Sequence, residues 1–224
     1  MIIYRIPKED ILSLLERQLS NFYGVSTNES ELLHIHFDAV LEKIDWNFSH
    51  NPNKYYSKIL DGEKHTFFDP FHSCQWTIFL YTMARHVFLS SKNQSPELQV
   101  SARLLSDKLY GLSKVVSGAD LYYEIELPDI FMCDHPVGTV LGRATYGDYF
   151  NFSQGCTVGN NHGIFPVIHD HVTLLSNAKI LGNCTIGSFS IISANTYIKD
   201  QDIPEKSLVF GSSPNLIIKR RKDI

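Results

Sequence analysis

Up to about residue 115 the apolar positions recur at helical intervals. Ile11, Leu14, Leu15 and Leu19 follow the i, i+3, i+4 rule, and between residues 31 and 44 Leu32, Leu33, Ile35, Phe37, Val40, Leu41 and Ile44 do the same. Apolar stretches over residues 71–89 and 98–112 predict two further helices. Thr27-Asn-Glu-Ser-Glu and Ser95-Pro96-Glu97 carry helix-start signals. The expectation is a helical domain over residues 1–117 with loops near 20–30, 48–66 and 90–97.

After Gly118 the period changes to six. Ile168, Leu174, Ile180, Ile186, Ile192 and Ile198 form an unbroken series, and the fifth positions, Val172, Ala178, Cys184, Ser190, Thr196 and Asp202, are mostly small. Upstream, Leu141, Tyr146, Phe152 and Val158 continue the series with one spacing of five and an insertion between Val158 and Ile168. A six-residue period fits neither a helix nor a simple alternating strand. It fits a solenoid whose turns are made of short flat faces, each pointing one branched aliphatic inward. The competing arrangement, a Gly- and Asn-rich β-sandwich, does not explain six consecutive matches. The predicted fold class is therefore α+β, a helical domain followed over residues 118–224 by a parallel β-helix. Its interior is filled with aliphatic side chains, so chemistry must lie outside, in clefts between coils or subunits.

Composition narrows the function. The 224 residues carry a formal charge of -4 and a pI near 6.2, which argues against general nucleic-acid binding. The N-terminus turns charged within a few residues, unlike a secretory signal, and no stretch reaches the ~18 apolar residues that span a membrane. Cys74, Cys133, Cys156 and Cys184 are widely spaced without CxxC pairing and read as reduced packing thiols of a cytoplasmic protein.

Several segments resemble the serine O-acetyltransferase branch of the hexapeptide acyltransferases. ILGNCTIG, FNFSQGCTVGNN, FMCDHPVGTVLG and FGSSPN are similar to that family's segments, and the helical run HSCQWTIFLYTMARHVF is similar to its helix before the repeats. The resemblance covers residues from roughly 50 to 215. It implies a left-handed β-helix, a trimer or dimer of trimers with active sites between adjacent β-helices, and acetyl-CoA as co-substrate.

Acetyl transfer to a hydroxyl needs a general base, a task that suits histidine near neutral pH. The resemblance puts that base at His135, with Asp120, fifteen positions earlier, orienting the imidazole and stabilising its positive charge. Asp134 corresponds to a residue that helps hold the acceptor. For the second active-site histidine His162 is the candidate, in the shortened segment NNHGIFPVI, where counting back from Pro166 puts Phe165 at the family histidine's place. The arginine that normally grips the serine carboxylate is absent there, with Asn161 in its place, and an acid from the helical domain falls near Asn51. Losing both charges shifts the expected acceptor from L-serine, kept as the alternative, to a sugar hydroxyl of a surface polysaccharide or its precursor; an amino-sugar N-acetyltransferase is a lesser option. Ser176 and Ala194, eighteen residues apart, match the family's paired small residues along the acetyl-CoA groove, and Lys219 and Arg220 could meet its phosphates.

Other signals are weaker. His34-x-His36 and His169-x-His171 lack a third ligand, so no metal is expected. Tyr122, Tyr123, Phe131, Tyr146, Tyr149, Phe150 and Phe152 either pack or offer a platform for sugar faces, packing being favoured. A non-catalytic repeat scaffold is the alternative from a different class, weighed against by the Asp120/His135 pair. The terminal Ile224 echoes the isoleucine with which family members engage the next enzyme of cysteine synthesis.

Overall fold

A computed structural model describes residues 2–222; Ile224 lies outside them. The chain divides into two compact units, Met1–Ser117 and Gly118–Ile224.

The first unit contains α1 (Lys8–Phe22), α2 (Thr27–Ser49), α3 (Ser73–Ser90) and α4 (Pro96–Ser117). The start of α2 is fixed by a capping box: the Ser26 hydroxyl accepts from Glu29 N–H, and the Glu29 carboxylate accepts from Ser26 N–H at 2.7 Å. The apolar stripes meet in one core, with Ile11, Leu15, Leu33, Ile44, Phe79 and Leu109 fully buried. The segment expected as a loop over residues 48–66 is partly sheet. Strands β2 (Ser57–Leu60) and β3 (Glu63–Phe68) form a hairpin, and β1 (Ile2–Tyr4) adds in parallel to β3. The signal was Asp61-Gly62, both at positive φ (52° and 83°), the dipeptide that closes tight hairpins.

The second unit is a parallel β-helix with three faces. Face A stacks Leu121, Leu141, Val158, Ile180 and Ile198; face B stacks Tyr146, Ile168 and Ile186, with Ile203 bridged beneath; face C stacks Cys133, Phe152, Leu174, Ile192 and Val209. These side chains point inward and are 0–7% exposed. Phe150, Phe152 and Tyr123 are buried completely and Tyr146 nearly so, which makes most of the aromatic cluster filling for the wide first coils and leaves no broad sugar platform.

Most corners carry a residue in left-handed backbone. At the corner from face C to face A, Gly138, Gly155, Asn177 and Asn195 have φ of 75°, 67°, 62° and 60°. At Gly155 a Cβ would displace the Asn177 side-chain oxygen, and the φ of 67° favours glycine. At the corner from B to C, Tyr149, His171 and Phe189 stack their rings, with centroids 4.3 and 4.5 Å apart and planes within 9°. At the corner from A to B the chain makes its one long excursion, residues 160–165, the insertion visible in the sequence. After the last coil, Ser207–Ser212 turns back into Asn215–Arg220, an antiparallel strand laid on the end of the solenoid.

Candidate functional site

His135 follows the strand Phe131–Asp134 and sits on the turn from face C to face A with φ 49°, closed by a hydrogen bond from Val137 N–H to His135 C=O at 2.7 Å. Asp134 and His135 are both exposed. The neighbouring Cys133 points inward and is 2% exposed, as packing requires. Asp120 opens the strand Asp120–Leu121 on the preceding coil, in register with Val140, and its N–H donates to Thr139 C=O at 2.8 Å. The two members of the expected dyad thus belong to adjacent coils at one corner. Asp134 is steadied by Asn151, whose amide donates to its Oδ2 at 3.3 Å. Asn151 went unnoticed in the sequence because the partners are seventeen residues apart, one short of the regular eighteen-residue coil.

Below His135 the same corner continues as a column. Gly155 N–H donates to Val137 C=O, Asn177 N–H to Gln154 C=O, and Asn195 N–H to Ser176 C=O, at 3.0, 2.8 and 2.9 Å. The Asn177 amide also donates to the Asn195 side-chain oxygen at 3.3 Å. Ser176 and the exposed Ala194 lie on this edge, so small residues line it for about 14 Å below the His135 turn, three coils at about 4.8 Å each. Such an edge can align a long, flexible substrate arm against backbone groups.

Lys219 and Arg220 do not join this column. Lys219 is in register with Leu208 and Arg220 with Ser207, at the end of face C beside the Phe189 corner rather than on the same chain's Ser176–Ala194 edge. The antiparallel return of the last strand causes this, and nothing in the six-residue period announces it.

The corner from A to B holds the remaining candidates. His162 is exposed with φ 50° at the tip of the excursion. Asn161 is committed to a bond from its amide to Asp200 Oδ2 at 2.5 Å. Arg143, missed in the sequence reading, is exposed on the coil above, where Arg143-Ala144 spans the corner that residues 160–165 span below. A cation therefore stands at this corner even though the excursion lacks one. Within one chain the whole of face A lies between His135 and His162, so the two histidines are not brought together.

Asn51, in the helical unit, is 5% exposed, and its Oδ1 accepts from Asn53 N–H at 2.9 Å. It closes a turn after α2 and offers no open face to an acceptor. The paired histidines are also occupied: His171 lies between Tyr149 and Phe189, and His34 Nε2 is 3.5 Å from Glu16. Among the described residues no three His, Cys, Asp or Glu side chains converge as a metal site. All four cysteines are buried and outside any disulfide, and burial pushes the Cys156 and Cys184 thiols up from their ordinary value, away from the thiolate form.

Comparison with known proteins places this geometry. Residues 165–200 match the family model described as bacterial transferase hexapeptide (six repeats). A serine acetyltransferase of Staphylococcus aureus is 30% identical over 137 residues, 59% of this chain and 62% of that protein. One of Bacillus pumilus is 28% identical over 129 residues, 52% of this chain and 59% of that protein. The chain thus spans about six-tenths of the length of these curated relatives. Among solved structures, a serine acetyltransferase of Brucella abortus superposes with a TM-score of 0.67 at 19% identity, covering 96% of this chain and 84% of that one. One of Neisseria gonorrhoeae gives 0.65 at 21%, covering 94% and 79%. These likenesses establish the fold, helices followed by a left-handed parallel β-helix, and the chain is a hexapeptide-repeat protein that resembles serine acetyltransferases.

Proposed function

We propose that the chain is an acetyl-CoA-dependent O-acetyltransferase whose acceptor is the hydroxyl of L-serine. The observation that carries the reading is His135, held in a left-handed turn at the head of the Ser176–Ala194 column, with Asp120 on the adjacent coil. His135 takes the proton of the acceptor hydroxyl as its oxygen attacks the thioester carbonyl carbon. The C–S bond then breaks, and the proton returns from the imidazolium to the departing thiolate. Asp120 holds the imidazole and balances its transient charge. Asp134, steadied by Asn151, faces the acceptor.

The choice of serine departs from the preference for a sugar drawn from Asn161. The similar proteins are serine acetyltransferases, one of them solved with CoA. In addition, the exposed Arg143 supplies a guanidinium at the corner from A to B, suited to a carboxylate. Because His135 and His162 occupy different corners, the complete site takes His135 from one copy and the 160–165 excursion from the next, in a trimer. This arrangement also lets Lys219 and Arg220 serve a neighbour's groove. Dependence on acetyl-CoA and four cysteines outside any disulfide suit the cytoplasm; among the described residues no helix is long and apolar enough to cross a membrane.

A thioester-consumption assay across L-serine, monosaccharides and oligosaccharides tests the reading, with CoA release as the signal and product mass as the identity check. L-Serine is expected to give the highest kcat/KM. A sugar exceeding it would return the acceptor to the glycan class, and no turnover with any acceptor would leave the scaffold reading standing.

A further inference from the structure

We infer that Asp200 is a positioning residue: acting through Asn161, it latches residues 160–165 to the coils below and so fixes where His162 is presented. The inference rests on the acetyltransferase reading for its functional half, and its structural half stands alone.

The excursion leaves the solenoid at Gly159 and rejoins at Pro166, whose C=O accepts from Thr145 N–H at 3.0 Å. Between those points it closes on itself, with Asn161 and Ile164 exchanging backbone bonds at 3.1 and 3.0 Å and Gly163 N–H donating to Asn160 Oδ1 at 3.3 Å. None of these bonds ties the tip to the coil beneath. Asp200 does so, from 39 residues away. Its Oδ1 accepts from Asn183 N–H at 2.8 Å and its Oδ2 from the Asn161 amide at 2.5 Å, so one carboxylate bridges the excursion to the coil below it.

The surroundings are shaped around this bridge. Asp200 itself adopts φ 51° at its corner. Gly182, at φ 81°, lies directly against it: a Cβ there would collide with Asp200 Oδ1 and come within 2.6 Å of the Asn161 Cβ. Three residues from three separate coils are therefore mutually fitted, and the neutral Asn161 is the member that a carboxylate partner requires. The position read from sequence as a lost acceptor contact is instead the donor half of the latch. An exposed tip carrying Ile164 and Phe165, 51% and 40% exposed, would otherwise have every reason to fold back on the surface.

Charge reversal and restoration test the latch. Asn161→Asp sets two carboxylates against each other. Asn161→Asp combined with Asp200→Asn restores a donor–acceptor pair in the opposite sense, while the amide oxygen introduced at position 200 still accepts from Asn183 N–H. Thermolysin, which cuts ahead of exposed bulky apolar residues, reads the tip at the Gly163–Ile164 bond without reference to turnover. We expect N161D to be cut at least tenfold faster than wild type, to lose about tenfold or more in kcat/KM for the acceptor, and to keep its KM for acetyl-CoA. The swap should return both readouts to within about threefold of wild type. N161A serves if N161D perturbs folding. Wild-type cleavage in N161D, or a swap no better than the single variant, overturns the latch; an opened loop with unchanged acceptor kinetics overturns the positioning role. If wild type turns over no acceptor, the acetyltransferase reading is what fails, and the thermolysin arm still decides whether the latch exists.

Discussion

The ion pair between Glu29 and Lys108 lets a single substitution test how the helical unit is held together. Glu29 is 1% exposed, and the Lys108 side chain 15%. The ammonium lies 2.7 Å from both carboxylate oxygens, with its hydrogen bond directed to Oε2 and Oε1 held by charge alone. Burial on its own would raise the Glu29 pKa, but Lys108 and the bonds from Ser26 outweigh it and hold the carboxyl below its ordinary 4.5. Lys108→Met leaves a buried carboxylate with only its cap. Breaking such a pair costs about 3–5 kcal/mol, and the partial exposure of Lys108 argues for the lower end, about 3. For a unit of this size that is a fall of about 12 °C in Tm, read from the helical signal at 222 nm. Glu29→Gln added to Lys108→Met should recover about half, because the amide oxygen still accepts from Ser26 N–H without a charge. The pH dependence has a definite sign. A carboxyl whose folded pKa is lowered contributes fully above 4.5 and loses that contribution as pH falls through the folded value. The variant removes that benefit, so its deficit against wild type should hold from pH 7 to about 4.5 and shrink as pH falls below it. A loss below 1 kcal/mol at pH 7, or a deficit that widens on acidification, would refute the reasoning.

Further outcomes follow from other positions. His135→Ala should lower turnover by about 10²–10⁴-fold while calorimetry shows CoA binding unchanged; a variant keeping a third of wild-type turnover would remove His135 from the mechanism. Ile180→Ala opens a void between Val158 and Ile198 at a fully buried position and should cost about 2–5 kcal/mol, seen as faster hydrogen exchange of the neighbouring coils. His36 and His86 lie 5.0 Å apart, and burial lowers both pKa values, so their contribution is full above 6.5 and erodes as pH falls toward the folded values. His86→Gln should therefore flatten the loss of helical-unit stability between pH 6.5 and about 5, measured by urea unfolding.

The parts of this molecule written with one inward residue per face were legible before any coordinates. Leu174, Ile180 and Ile186 announce three faces because burial tolerates little else at those positions, and the gap after Val158 announces the excursion. Corners were less readable: Asn177, Asn195 and Asp200 satisfy the same left-handed demand with different chemistry, so no single letter marks them. Asn161 misled because its partner is 39 residues away and a polar residue at a site invites a ligand role before a structural one. The place of Lys219 and Arg220 on the solenoid was not readable because a reversal of direction leaves no trace in a repeat count. Asn51, Asp61 and Gly62 show the local counterpart, turn chemistry concealed in a stretch with no apolar period.

The reversed final strand has a consequence for how the molecule avoids polymerising. A ladder of parallel coils has no intrinsic end, since its last rung offers the same row of N–H and C=O groups that bound the rung before it. Laying Asn215–Arg220 antiparallel on Ser207–Ser212 breaks the pattern that another coil would copy, and the exposed Lys219 and Arg220 charge the outer edge against a second chain. These residues leave the ribosome after the coils they cover. Until then the nascent solenoid carries an open rung, and a chain cut short after Ser212 would keep one permanently, free to accept the strand of a neighbour and grow into a fibre.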